Sequence, residues 1–151
     1  MSIAGISARD YSRQVEEYKV FTDGGARGNP GPAAIGVVVF DAAGKQLVKF
    51  GKTIGSTTNN VAEYSAVIAA LEWVKQKDTT VEVHCFLDSE LVARQLEGRY
   101  KVKNAKLIPL FFQVRQLVLA LGGRVSFTHV ARAYNHHADC LVNEALDGTS
   151  P

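Results

Sequence analysis

Four acidic side chains stand where carboxylates can converge. Asp23 closes a short β-branched and aromatic run and is followed by Gly24-Gly25. Asp88 closes another such run, just before a helix start at Ser89. Glu63 falls in the first turn or so of a long helical pattern, and Asp139 in the first turn of the last one. An acid near a helix start complements the macrodipole and, taken singly, needs no function. Taken jointly, carboxylates brought together repel unless a cation neutralises them. Hard oxygen donors with open water positions suit Mg²⁺ or Mn²⁺. Two such ions can activate a water and stabilise the leaving oxygen of a phosphodiester. Nothing resembles a Cys/His zinc set. The loop from Gly24 to Pro32 carries several glycines around Arg27 and Asn29, so its backbone N–H groups can meet ribose or phosphate oxygens. It is not a Walker A loop, since no Gly-Lys-Ser/Thr follows.

The elements that must position these acids follow from the pattern. Tyr18–Asp23, Ala33–Phe40 and Gln46–Ile54 read as strands, the last two joined by a turn at Asp41-Ala42-Ala43-Gly44. They form an antiparallel meander. Asn59–Lys77 reads as a helix, with Ala62, Ala66, Ala69, Ala70, Trp73 and Val74 at helical spacing and Thr58 or Asn59 as its N-cap. A strand over Val81–Leu87, a helix to about Glu97, a helix from near Pro109 to Leu121, a strand over Arg124–Val130 and a helix over His136–Leu146 complete the chain. Hairpin strands followed by alternating strands and helices indicate an α/β mixed sheet covered by helices. Asp23 and Asp88 then end strands at one edge of the sheet, where ligand sites often lie.

The bulk properties set limits. The 151 residues suggest one domain, expected over 17–148, with residues 1–16 as a flexible tail. No apolar run is long enough to span a bilayer, and the N-terminus lacks the apolar stretch of a secretory signal, so the expected compartment is the cytoplasm. A net charge of +2 does not by itself advertise nucleic-acid binding; Lys101, Lys103 and Lys106 form the tightest basic group. Cys85 and Cys140 make no disulfide framework.

Four segments, in order, match a known family. Phe21–Val39 (FTDGGARGNPGPAAIGVVV) resembles the opening of type 1 ribonuclease H. Thr57–Leu71 (TTNNVAEYSAVIAAL) is similar to its first helix with its glutamate, and Phe86–Gly98 (FLDSELVARQLEG) to its second acidic motif. His129–Leu146 (HVARAYNHHADCLVNEAL) resembles its closing motif. The resemblance covers about Tyr18 to Leu146. It implies a five-stranded mixed sheet of order 3-2-1-4-5, its first three strands antiparallel, with helices on both faces. It also implies endonucleolytic cleavage of the RNA strand of an RNA–DNA hybrid with two Mg²⁺ ions (Mn²⁺ as a substitute), leaving 3′-hydroxyl and 5′-phosphate ends. By position, Asp23 bridges both ions, and Asp139 completes the site of the one that activates water. Glu63 and Asp88 hold the other, with Glu63 also contacting a ribose 2′-hydroxyl. Gly24, Gly25, Ala26, Arg27, Asn29, Asn59 and Asn60 are implied to line the RNA minor groove, and Thr58 and Asn104, beside Lys103, to hold a DNA phosphate. Thr58 can equally be a helix cap and Asn104 a turn residue. The expected protein is a monomer with no obligate protein partner and no membrane attachment.

The sequence departs from the family in three places. The segment from Val130 to Asp139 is shorter than the His-bearing mobile loop of many members; His136 or His137 can approach the metals or simply start a solvated helix, and Asn135 is a cap or a supporter of the site. A basic, Trp-rich handle is missing. Trp73 reads as core, and Gly98–Asn104 is a shorter substitute, so affinity should be modest and salt-sensitive. Ser56 stands where some members have a phosphate-binding Arg. The alternatives are a non-catalytic hybrid-binding module, an integrase- or resolvase-type polynucleotidyl transferase, and a scaffold domain with an accidental acid cluster.

Overall fold

The computed structural model describes residues 16–148, so the tail expected over 1–16 lies outside the described residues apart from Glu16. Three strands, β1 (Glu17–Ala26), β2 (Gly31–Asp41) and β3 (Gln46–Thr57), form the antiparallel meander. Helix α1 (Asn59–Lys77), strand β4 (Glu82–Leu87), helices α2 (Glu90–Leu96) and α3 (Ile108–Ala120), strand β5 (Val125–His129) and helix α4 (His136–Asp147) follow. The sheet order is β3-β2-β1-β4-β5, with β4 parallel to both β1 and β5. This is the mixed sheet expected from the element order and the resemblance.

Local chemistry accounts for the element ends. Thr58 caps α1, its hydroxyl accepting from the Val61 N–H, while Ser89 does the same for α2 through the Val92 N–H. Asp41 Oδ1 accepts from the N–H groups of Ala43 and Lys45, closing the β2–β3 hairpin. The meander strands run longer than the sequence expectation: β2 starts at Gly31 and β3 continues past Ile54 to Thr57, because Gly31 and Pro32 pair with Thr57 and Ser56. β1 runs on through Gly24, Gly25 and Ala26, because those residues pair with Ile35, Ala34 and Ala33 of β2; cross-strand pairing overrides glycine's weak strand propensity. A single 3₁₀ turn over Arg132–Asn135 links β5 to α4, where an irregular loop was expected.

The main core lies on one face of the sheet. Val20, Val37, Val39, Val83, Cys85 and Leu87 from the strands meet Tyr64, Val67, Leu71 and Val74 of α1, with Val92, Leu96, Val114 and Leu117 closing the layer. Trp73 packs half-buried at its edge against Tyr18. Burial pushes the Cys85 thiol up to about 12, so it behaves as a small apolar side chain.

The opposite face carries α4, which settles directly on two glycines. A Cβ at Gly36 would strike the Ala138 carbonyl oxygen, and one at Gly51 would lie 2.7 Å from the Leu141 carbonyl oxygen. Glycine is needed at these positions because the helix backbone occupies the space a side chain would fill. Gly36→Ala should therefore destabilise the chain by about 1–3 kcal/mol, read as a lower denaturation midpoint in urea. An unchanged midpoint would show that α4 is free to lift away.

Candidate active site

The register brings two of the acids together. Phe21 of β1 faces Phe86 of β4 in the parallel pair, so the same offset carries two residues on to Asp23 and Asp88, side by side where the strands end. Glu63 arrives from α1, which can approach β1 closely only because residue 24 is glycine: a Cβ there would strike the backbone of Ala62. That closeness also lets the Gly24 N–H donate to Glu63 Oε1 at 2.6 Å. Carboxylate oxygens of Asp23, Glu63 and Asp88 all lie within 4.8 Å of one another. Asp139, in the first turn of α4, stands outside this trio, but it lines the same cleft and its charge bears on Asp23.

The electrostatics follow from crowding and burial. Asp23 is pushed from 3.8 up to about 7, first by desolvation, with the neighbouring charges of Asp88 and Asp139 adding to it against a lowering contact from Glu63. Glu63 is pushed well above the usual carboxylate range by burial and then by Asp23, although the Gly24 N–H favours its charged form. Asp88 Oδ2 is buried without a hydrogen-bond donor; the Arg132 Nε lies 3.7 Å from it. Acceptor-only carboxylates, mutually repelling and with one orphaned oxygen, are what a hard divalent cation neutralises. The donor set therefore fits Mg²⁺ or Mn²⁺.

The surroundings sort the residues named from sequence. The cleft has a volume of about 470 Å³, and Gly24, Gly25, Ala26, Arg27, Asn59 and Asn60 line it with the acids. Several backbone donors expected to meet substrate are already engaged. The Gly24 N–H goes to Glu63, that of Ala26 to Asn59 Oδ1 at 2.8 Å, and that of Arg27 to the Pro32 carbonyl. Asn29 Oδ1 in turn accepts from the Asn59 N–H. Because both Oδ1 atoms face N–H groups, the two amides turn their N–H₂ donors the other way. Thr58 caps its helix, and Asn104 Oδ1 closes a turn by accepting from the Lys106 N–H. Neither these two nor Lys103 lines the cleft.

Five lining residues escaped the sequence reading: Ser89, Arg132, Val142, Asn143 and Leu146. The 3₁₀ turn brings Arg132 to the rim, its side chain 82% exposed, whereas neither His136 nor His137 lines the cleft. Asn135 supports the site from beneath. It is buried, makes no side-chain cap bond, and donates through Nδ2 to the carbonyl of Thr22, the residue before Asp23. Arg27 is held by Asp147 at 2.6 Å.

Comparison with known proteins agrees with this picture. The model of a reverse transcriptase-like family matches residues 21–145. A bifunctional protein of Mycobacterium tuberculosis is 42% identical over 129 residues, which are 85% of this chain but 35% of that protein, so the chain spans about a third of its length. A ribonuclease H of Verminephrobacter eiseniae is 30% identical over 88% of this chain and 92% of its own. Among solved structures, LC11-RNase H1 in complex with an RNA/DNA hybrid superposes with a TM-score of 0.83 at 44% identity, over 87% of this chain and 98% of the other.

Burial of Asp23 has a consequence for stability. Below about pH 4 both folded and unfolded chains hold its proton, and burial carries no electrostatic penalty. Between 3.8 and about 7 the unfolded chain releases a proton that the folded chain keeps, so stability falls as pH rises, with the whole penalty present above about 7. In a chelator, urea denaturation should show this decline from pH 5 to 8. Asp23→Asn should lessen the decline, leaving the share that buried Glu63 contributes with the same sign, and millimolar Mg²⁺ should restore stability of the wild type at pH 8 by binding the folded chain.

Proposed function

The chain belongs to the reverse transcriptase-like family that includes these ribonucleases H, and on that premise we propose that it is an endonuclease hydrolysing the RNA strand of RNA–DNA hybrids, giving 3′-hydroxyl and 5′-phosphate ends. The observation that carries the reading is the convergence of Asp23, Glu63 and Asp88 within 4.8 Å at the foot of a cleft lined by glycine and asparagine. Asp23, Glu63 and Asp88 would hold one divalent cation, and Asp23 with Asp139 a second; Mg²⁺ is the proposed ion and Mn²⁺ a substitute. Bound there, the pair would supply a water of lowered pKa and offset charge on the leaving 3′-oxygen.

The remaining work falls to the chain itself. Gly24 fixes one oxygen of Glu63, leaving the other to the ion and to a ribose 2′-hydroxyl, the group that distinguishes RNA from DNA. Asn59 and Asn29, with their oxygens committed to backbone, would present N–H₂ donors to acceptors of the minor groove. Arg27 and Arg132, which both line the cleft, would meet phosphates; Arg132 also partly offsets Asp88 while no cation does. Thr58, Lys103 and Asn104 keep a proposed place on the DNA strand, outside the cleft. The proposal includes a monomeric chain in the cytoplasm. Free thiols at Cys85 and Cys140 suit a reducing compartment, and no helix among the described residues is long and apolar enough to cross a membrane.

A labelled RNA–DNA hybrid should be cut by the wild-type chain with Mg²⁺ and left intact with chelator. Asp23→Asn should lower cleavage by roughly a hundredfold or more. Cleavage that survives either change would remove the two-ion reading. In the Asp23→Asn background, Arg132→Ala should reduce the salt dependence of hybrid binding by about one phosphate contact. An unaltered slope in a fluorescence-anisotropy titration would take Arg132 off the substrate.

A further inference from the structure

We propose that a second cavity, set between the end of α2 and the start of α3, binds a single unpaired nucleotide, with the base against aromatic rings and the phosphate at Arg99 and Lys101. This cavity shares no lining residue with the carboxylate cleft, and the inference does not depend on the nuclease reading.

A helix stop builds the cavity. α2 ends at Gly98, whose φ of 82° suits glycine. The Arg99 N–H bonds back to the Arg94 carbonyl at 2.8 Å, and the Gly98 N–H to that of Gln95 at 3.1 Å, the pairing that reverses a chain at a helix end. Arg99, Tyr100 and Lys101 then line the cavity together with Ile108, Phe111 and Phe112 of α3. Arg115 ties the two helices: its guanidinium carbon lies 4.9 Å from the Phe111 ring centroid, and its Nη2 donates to the Leu96 carbonyl at 2.8 Å. The enclosed volume of about 620 Å³ is in the range of small-ligand sites. Tyr100, Ile108 and Phe112 are all exposed. Single exposed apolar side chains are ordinary, but three around one cavity mark a contact surface.

The polar groups decide what fits. Gln95 lines the cavity from α2 and is only 5% exposed. Burial pushes the Tyr64 phenol up to about 12, so it keeps its proton and donates to Gln95 Oε1 at 2.7 Å. With that oxygen committed, Gln95 turns its N–H₂ the other way, toward the cavity, and the nitrogen has no partner among the described residues. A buried amide donor calls for a carbonyl or ring-nitrogen acceptor, and aromatic walls call for a planar ring. Arg99 and Lys101, exposed and in no ion pair among the described residues, call for an anion. Glu97, close by in the chain, does not oppose it, since Arg94 Nη1 holds its Oε1 at 2.8 Å. A planar ring with acceptors, joined to a phosphate, is a nucleotide. In a duplex both faces of a base are stacked, so the occupant is unpaired, either a free mononucleotide or the end of a single strand.

Calorimetric titration of the full-length chain in a chelator tests the site, with adenosine 5′-monophosphate as one probe and a short oligodeoxyadenylate strand as the other. Binding at one site per chain is expected. Phe112→Ala, a change at an exposed side chain, should weaken it by about fivefold or more through lost stacking. Gln95→Glu keeps an acceptor for Tyr64 but removes the donor, and should weaken it as well, with circular dichroism confirming that both variants are folded. Ribose 5-phosphate, which lacks the base, should bind more weakly by a similar factor. Tighter binding of the mononucleotide assigns the site to a free nucleotide, and tighter binding of the strand assigns it to a strand end. No binding of either probe at millimolar concentration overturns the site. So does binding that ribose 5-phosphate equals or that Phe112→Ala leaves unchanged.

Discussion

Three carboxylates held within 4.8 Å of one another, two of them buried, set the terms for everything around them. Like charges at that range in a medium less polar than water repel by several kcal/mol, and isolated chains of this size are stable by only about 5–15 kcal/mol. The fold bears the arrangement by keeping protons on part of the cluster, as the raised Asp23 and Glu63 show, and by giving Glu63 a backbone donor at Gly24. A divalent cation relieves the same repulsion. Charge crowding is thus both a cost to the fold and the basis of the proposed chemistry.

Holding four acids from four elements in one place requires the elements to come unusually close, and glycine makes that possible. Gly24 lets α1 lie against β1, and Gly36 and Gly51 let α4 lie against β2 and β3. Closeness then creates hydrogen bonds that looser packing would forbid, the Gly24–Glu63 contact among them. Asn59 and Asn29 extend the device by lacing the β1–β2 loop to the start of α1. Asn135 ties the start of α4 to the carbonyl of Thr22, so the turn bearing Asp139 is anchored one residue from Asp23. These supports run from side-chain amides to backbone groups, so each acid is held against a neighbouring element of the fold.

Sequence and structure agree most where the signal is local. α1 has the expected bounds, with Thr58 as its cap, since apolar spacing and a capping hydroxyl both act within a few residues. They part where a partner far along the chain intervenes. β1 extends through three residues that look like loop because β2 pairs with them. Arg132 carries no local mark of function, and only the 3₁₀ turn after β5 brings it to the cleft, where the histidines nearby had looked better placed. The loop N–H groups expected to face substrate are largely spent inside the protein, a fact of distance that spacing along the chain cannot reveal.

By itself, the sequence determined the element order, the sheet class and the identity of the four acids, because periodicity, turn residues and residue chemistry are written in neighbouring positions. Tertiary structure alone decided that three of those acids form a tight cluster while Asp139 stands slightly apart, and which amide faces turn outward. These are outcomes of register, helix approach and rotamer. Each depends on contacts between residues tens of positions apart or on side-chain angles that no spacing rule contains.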